Sequence, residues 1–353
     1  MNVKVCFMLS LLAVGIVGTT APRAEAAPRW QNGFAFWGPQ SRLSSDEAAT
    51  SLQSLRETGA DQVMLVVSWF VGNAYDPDIR PGPTTPTDPE IVVFVQRAHA
   101  LGLAVVIGVR VESLDGTWRA YFAPYDKSAW FANYRTMLEH YVDLADRMGV
   151  AGLVIGGEFV SLSGPAYTAY WADLIAMARA GFGGFLTYSA NWGGSAIGNQ
   201  GLDQLEEFSQ IEFWPLLDFV GISCYVELAQ TPDPSFTTLM ANWGRWYNNR
   251  VAPVLRRVGK PLLLTEVGYR SEASAPMHPW DYLGNAGVQT ALQAELYLAL
   301  FQFWRGVPEF RGLYIWHWDA DPQAGGPKDS GYTPQGKIAE EIVVLYFRDP
   351  EMV

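Results

Sequence analysis

Eight short apolar runs alternate with segments of helical length, and this pattern predicts an α/β fold, a (β/α)8 TIM barrel in a single domain. The length agrees, because barrels of this size are commonly built as one domain. A third observation is that two of the runs end in a glutamate, Glu158 and Glu266. The carboxyl ends of the strands build the active site of such barrels, so these side chains are candidate functional groups.

The predicted strands are short runs of apolar and small residues that change abruptly to polar sequence. They lie at 33–37, 62–67, 103–109, 152–157, 185–191, 218–225, 261–266 and 312–318. The helical patterns between them lie at 48–57, 88–101, 128–148, 165–180, 236–257 and 287–305. A capping signature at Ser44–Glu47 opens the first helix. Residues 193–215, after the fifth strand, have a less regular pattern.

Residues 1–26 have the features of a signal peptide. Lys4 precedes an apolar stretch at 5–17, and Ala24-Glu25-Ala26 supplies a small-x-small cleavage site. The stretch is too short for a membrane anchor, which needs ~20 residues. We therefore expect cleavage near Ala26, a secreted protein (extracellular or periplasmic), and a catalytic domain at 27–353.

The charge of the chain restricts its partners. With 24 basic and 36 acidic residues the formal net charge is −12, which argues against nucleic acid and acidic membrane surfaces. A neutral polysaccharide or oligosaccharide fits better, and we expect a monomer that does not associate with a membrane. No metal and no cofactor are expected, because the four histidines include no pair at metal-ligand spacing and no phosphate-binding glycine loop precedes a helix.

Glu158 and Glu266 are the expected catalytic residues. They end the fourth and the seventh of eight strands, which places them on opposite sides of the barrel mouth, facing each other. Two carboxylates across a cleft are the groups used in glycoside hydrolysis, ~5–5.5 Å apart in retaining enzymes and ~6.5–9.5 Å apart in inverting ones. The alternatives are a glutamate that begins a helix for Glu158 and an ion pair with Arg270 for Glu266.

The neighbours of the two glutamates differ in polarity. Gly157 and Phe159 offer no charge that would stabilise Glu158 as an anion, which suits an acid that keeps its proton. A nucleophile must be ionised, and the candidate donors to Glu266 are Tyr225 after strand six and Arg110 after strand three.

Tryptophan is abundant, at 14 residues, and several lie at predicted strand ends or in loops. Sugar rings stack on aromatic faces, so this placement favours a carbohydrate cleft, although core packing is the alternative for each residue. The candidates are Trp37, Trp69, Trp118, Trp192, Trp316 and Trp318. Spacing by two predicts that Trp316 and Trp318 share one face of strand eight.

The chain resembles clan A of the glycoside hydrolases and, more narrowly, glycoside hydrolase family 113, which is known for β-mannanase activity. The stretches that carry this resemblance follow one another along nearly the whole mature chain. They are AHALGLAVVIGV (98–109), GTWRAYFAP (116–124), LVIGGEF (153–159), SANW (189–192), TEVGYRS (265–271) and GYTPQGKIAE (331–340).

The resemblance assigns roles to individual residues. Glu158 would be the general acid/base, Glu266 the nucleophile and Trp316 the floor of the −1 subsite, while Trp118 and Arg119 would form a wall of the cleft. Many clan A enzymes carry an asparagine before the acid/base that binds the sugar 2-hydroxyl, whereas this chain has Gly157. Asn191 after strand five is the substitute donor that we consider.

The expected function is thus a secreted, retaining hydrolase of β-linked neutral polysaccharide, and the resemblance favours an endo-β-1,4-mannanase. Two alternatives remain. One is a clan A glycosidase for another β-glycan, a glucan or a galactoside. The other is a non-catalytic carbohydrate-binding barrel, against which the two intact glutamates argue.

Overall fold

The computed structural model describes residues 30–38, 42–193 and 206–349. Within these ranges eight parallel strands pair in chain order, and β8 pairs with β1, so the sheet closes into a barrel. The strands are β1 (Gln31–Trp37), β2 (Gln62–Val71), β3 (Ala104–Ser113), β4 (Gly152–Gly157), β5 (Phe185–Asn191), β6 (Val220–Cys224), β7 (Leu262–Val267) and β8 (Phe310–Asp319). The predicted (β/α)8 TIM barrel is confirmed.

Helices surround the barrel in the described part of the chain. They are α1 (Asp46–Glu57), α2 (Asp88–Ala100), α3 (Lys127–Met148), α4 (Thr168–Gly181), α5 (Phe236–Trp246), α6 (Ala252–Val258), α7 (Thr290–Trp304) and α8 (Ile338–Arg348). Ser45 caps α1 by accepting a hydrogen bond from the Ala48 amide at 3.1 Å, as the sequence signature predicts.

Three features of the helical layer differ from the sequence expectation. The predicted helix 236–257 consists of α5, a π-helical segment at Tyr247–Val251, and α6. Pro253 is the physical reason, because it has no amide hydrogen for a regular helical bond. After β5 the described residues contain a 3₁₀ turn at Trp214–Leu216, while 194–205 lie outside the described residues. Helix α8 was not individually predicted.

Two apolar layers hold the barrel together. The large outer layer lies between the strands and the helices and contains residues such as Phe34, Leu65 and Trp171. The small inner layer fills the barrel with Ala35, Met64, Val106, Val154, Phe219, Leu263 and Tyr314. Successive residues of a strand point alternately into these two layers.

Polar residues lie beside this inner apolar layer. The hydroxyls of Ser189 and Thr265 are hydrogen-bonded at 2.7 Å. The interior thus changes from apolar to polar towards the carboxyl ends of the strands, where the catalytic candidates lie.

The proposed signal peptide, residues 1–26, lies outside the described residues. None of the helices in the described ranges combines the length and the apolar character that a membrane crossing requires.

Candidate active site

Glu158 directly follows β4 and is buried at the barrel mouth, with 6% of its surface exposed. Its Oε2 accepts hydrogen bonds from Arg119 Nη2 at 2.8 Å and from Trp118 Nε1 at 3.1 Å. Arg119 is in turn held by both carboxylate oxygens of Glu112, at 2.7 and 2.9 Å. The expectation that no charge stabilises the Glu158 anion is therefore wrong, because the cation comes from the loop after β3 and not from the neighbouring sequence.

Glu266 lies near the end of β7 and is equally buried. Its Oε1 accepts a hydrogen bond from the Tyr225 hydroxyl at 2.5 Å, and its Oε2 contacts the Arg110 guanidinium. Both donors are those expected from the sequence. The alternative partner, Arg270, binds Glu272 at 3.0 Å.

The two carboxyl groups influence each other's ionisation. Burial raises the pKa of Glu266; Arg110 opposes this shift and the negative charge of Glu158 adds to it, so the pKa lies above its usual value. Burial also raises the pKa of Glu158, but Arg119 and Arg110, aided by the hydrogen bond from Trp118, bring it below the usual value. These directions are opposite to those that an acid at Glu158 and a nucleophile at Glu266 require.

The close packing of β4 on β5 explains why residue 157 is a glycine. A Cβ atom at this position would lie 2.9 Å from the Ser189 carbonyl oxygen and 3.0 Å from the Ser189 Cβ. The backbone therefore leaves no room for the asparagine that many clan A enzymes have before the acid/base.

Asn191, the proposed substitute, is the last residue of β5 and is buried. Its Oδ1 accepts a hydrogen bond from the Gly193 amide at 2.8 Å. Within the described residues its buried Nδ2 donates to no protein group. By strand alternation its side chain lies on the same face as that of Ser189, towards the barrel axis.

Four of the aromatic and cationic candidates form one surface at the mouth. Arg110 lies over the ring of Trp316, 4.9 Å from its centroid, and Trp37 packs against Trp316 at 5.4 Å. Trp118 contacts Glu158 directly. These contacts place the four side chains around the two carboxylates.

Trp192 belongs to an aromatic cluster behind Glu266. It packs against Tyr225 at 5.6 Å and stacks on Trp280 at 5.9 Å. Trp192 is almost fully buried, so it supports Tyr225 and offers little surface to a substrate.

Trp69 and Trp318 are not brought to the site, which corrects their proposed substrate-binding role. Trp69 points outward from β2 and donates from Nε1 to the Tyr141 hydroxyl of α3 at 2.8 Å. Trp318 is buried in the outer layer, where it donates to the Ser51 carbonyl at 3.0 Å and packs on Phe34.

A register shift explains the error at Trp318. Ala35 pairs with Trp316, but the next residue, Phe36, pairs with Trp318, so the pairing of β1 with β8 skips His317. The extra residue turns Trp318 to the opposite face of the strand.

This difference predicts distinct effects for two substitutions. Trp316→Ala removes a cleft surface and should lower kcat/KM for the substrate by roughly tenfold or more, equivalent to about 1.4 kcal/mol, with a small change in melting temperature. Trp318→Phe removes buried hydrogen bonds and should cost about 1–2 kcal/mol of unfolding free energy with kcat/KM nearly unchanged. Steady-state kinetics and urea unfolding of both variants check this, and the reverse pattern would contradict the assigned faces.

Two residues of the site were missed in the sequence. Glu112 lies two positions after Arg110 on β3, so strand alternation could have placed it on the same inward face. Trp280 lies in the loop between β7 and α7, where no periodic pattern predicts its position. Among the described residues, no group of three or more His, Cys, Asp or Glu side chains could hold a metal ion.

Comparisons with known proteins agree with this geometry. The model of Glycoside Hydrolase Family 113 matches residues 32–337. Among curated proteins, none matches the chain.

Several solved structures share the fold. A GH113 β-1,4-mannanase is 22% identical, with a TM-score of 0.79 over 91% of this chain and 99% of that chain. The GH113 β-mannanase AaManA from Alicyclobacillus acidocaldarius, in complex with ManMIm, is 28% identical, with a TM-score of 0.77 over 90% and 97% of the two chains. An endo-β-1,4-mannanase from Thermotoga petrophila is 12% identical, with a TM-score of 0.59 over 92% and 78%.

The family match spans most of the barrel, including both strands that carry the buried glutamates. The chain belongs to glycoside hydrolase family 113.

Proposed function

We propose that this glycoside hydrolase is a secreted endo-β-1,4-mannanase that cleaves its substrate with retention of configuration. The observation that carries the proposal is the pair of buried carboxylates at the ends of β4 and β7, each held by its own arginine. The structural similarity to GH113 β-mannanases, one of them 28% identical, supports the substrate class. Export rests on the features of residues 1–26.

The two carboxylates take different roles in a double displacement. Glu266 attacks the anomeric carbon while Glu158 gives its proton to the leaving glycosidic oxygen, which produces a covalent glycosyl-enzyme. Glu158, now a base, takes a proton from water, and the resulting nucleophile releases the sugar from Glu266. Tyr225 and Arg110 hold the Glu266 carboxylate for attack.

Substrate binding must favour a protonated Glu158 and an ionised Glu266. A glycosidic oxygen is only an acceptor, so contact with Glu158 favours the protonated form of that carboxyl group. Positive charge developing at the anomeric carbon favours the anion of Glu266. Arg119 contacts both Glu112 and Glu158, so its positive charge is shared between two carboxylates.

A preference for mannan over glucan depends on how the enzyme recognises the hydroxyl group at C2 of the sugar. The Asn191 Nδ2, which has no hydrogen-bond partner among the described residues, is the donor proposed for this contact, in place of the residue that Gly157 excludes.

Hydrolysis of a panel of mannan, glucomannan, cellulosic β-glucan and xylan tests the proposal. The expected result is reducing sugar from mannan and glucomannan, and little from the other two. Preferred cleavage of β-glucan would assign another clan A specificity. No cleavage by the parent, together with retention on a mannan affinity gel, would indicate a carbohydrate-binding barrel.

A further inference from the structure

A third buried carboxylate, Glu207, lies close to the site but has no step in the reaction. It follows β5 in the chain and is 2% exposed. Both of its oxygens accept hydrogen bonds from neutral donors. Oε1 accepts from the Tyr188 hydroxyl at 2.6 Å, and Oε2 accepts from the Asn191 amide at 2.7 Å.

Tyr188 connects Glu207 to the acid/base. Its hydroxyl has a single proton, which it donates to Glu207, and it accepts a hydrogen bond from the Phe159 amide at 2.9 Å. Phe159 is the residue immediately after Glu158. Glu207 therefore fixes the orientation of the hydroxyl that anchors the backbone beside the acid/base.

That backbone needs an anchor because Glu158 has a φ of 58°, a left-handed conformation that is unfavourable for a residue with a side chain. The amides on both sides of its Cα are held: Glu158 N donates to the Ser189 carbonyl at 2.9 Å, and Phe159 N donates to Tyr188. Loss of one anchor lets the backbone relax and turns the carboxylate away from the leaving oxygen.

The second carboxylate oxygen of Glu207 accepts a hydrogen bond from the backbone amide of Asn191. By holding the backbone amide of Asn191, it fixes the end of β5, where the Asn191 side chain begins. One carboxylate thus connects the acid/base with the residue proposed to read C2.

We propose that Glu207 is a positioning residue of the glycosyl transfer, which holds the backbone of the acid/base Glu158 through Tyr188; this rests on the proposed function. Burial raises the pKa of Glu207 to about 7, although the Ser163 and Tyr188 hydroxyls and the Asn191 amide oppose the shift, and the charge of Glu158 adds to it.

Glutamine cannot replace this group, although it has the same shape. Glu207 accepts from a donor at each oxygen, whereas glutamine offers one acceptor and one amide donor. Glu207→Gln therefore loses the hydrogen bond to either Tyr188 or Asn191 and places two donors against each other. Glu206→Gln is the matched control, because the neighbouring Glu206 carboxylate is directed to Arg250 at 2.9 Å.

The test compares leaving groups that differ in their need for an acid. For the parent and both variants, kcat/KM is measured with a β-1,4-mannooligosaccharide and with aryl β-mannobiosides carrying 4-nitrophenol and 2,4-dinitrophenol. In Glu207→Gln we expect kcat/KM for the oligosaccharide to fall by about tenfold to 100-fold, as for a misplaced catalytic group. The dinitrophenyl substrate, which needs no proton, should change by less than about threefold, since its cleavage escapes the acid step.

Equal losses on all three substrates, or no loss, would overturn the proposal, as would the same selective loss in Glu206→Gln. If Glu207→Gln does not fold, Tyr188→Phe removes the same connection and should show the same leaving-group pattern.

A crystal structure separates this proposal from the proposed function. If the parent hydrolyses no mannoside, the function is wrong, but the positioning role still predicts that the Glu158 carboxylate moves by about 1 Å or more in Glu207→Gln, a displacement large enough to cost activity. An unmoved Glu158 would overturn the positioning role whatever the substrate.

Discussion

Glu266→Gln should abolish mannan hydrolysis, with kcat lower by roughly 10⁴-fold or more, which is the scale seen when a covalent nucleophile is removed. The amide cannot displace the leaving group, so the glycosyl-enzyme does not form. Glutamine still offers an acceptor to Tyr225 or Arg110, and the packing of the β7 end is kept, so the fold should survive.

The release of reducing sugar from mannan measures the loss of activity, and the melting temperature measures whether the fold survives. Glu341→Gln, an exposed change on α8, is the matched control and should behave like the parent. Residual activity above about one hundredth of the parent's would contradict the nucleophile role of Glu266, because removal of a covalent nucleophile lowers activity by far more than that factor. An unfolded variant would contradict the prediction that the fold survives.

Glu158→Ala should lower kcat on mannan by roughly 10²–10⁴-fold, because the leaving oxygen loses its acid and the attacking water loses its base. With a dinitrophenyl β-mannobioside the first step needs no acid, so the glycosyl-enzyme accumulates and its hydrolysis becomes limiting. Azide is a small nucleophile that needs no base, and it fits the space left by the side chain. We therefore expect azide to restore turnover.

The configuration of the azide product, determined by proton NMR, is the decisive readout. Double displacement predicts a β-mannobiosyl azide, with the configuration of the substrate retained. An α-azide would indicate a single displacement, and the absence of rescue would remove Glu158 from the acid/base role. Glu158→Gln is the useful companion, since it fills the space that azide needs and should be rescued less.

The strands and the two glutamates could be predicted because their signals are local. Each buried parallel strand is a continuous apolar run, and Glu158 and Glu266 stand where that run stops. Alternation along β3 likewise places Arg110 on the inward face, from which it reaches Glu266.

The side chains that were misplaced depend on information that lies elsewhere in the chain. Trp69 is in a strand with apolar residues on both faces, so its sequence does not show which face meets α3. The direction of Trp318 depends on a register shift against β1, which no local pattern records.

The electrostatics of Glu158 were missed for a similar reason. Its cation, Arg119, is 39 positions earlier in the chain, and the parallel pairing of β3 with β4 brings the two side chains within 2.8 Å. Glu207 lies in irregular sequence after β5, and its connection to Glu158 exists only through the folded position of Tyr188.

The most direct test of the catalytic account is to trap and map the covalent intermediate. The protein is incubated with a 2-deoxy-2-fluoro-β-mannobiosyl fluoride, whose leaving group needs no acid and whose fluorine slows release of the sugar. Peptide mass spectrometry then locates the label. The account predicts a single fluoroglycosyl group on Glu266, absent from the Glu266→Gln variant. A label on Glu158, or continued turnover of the parent with no labelled peptide, would contradict it.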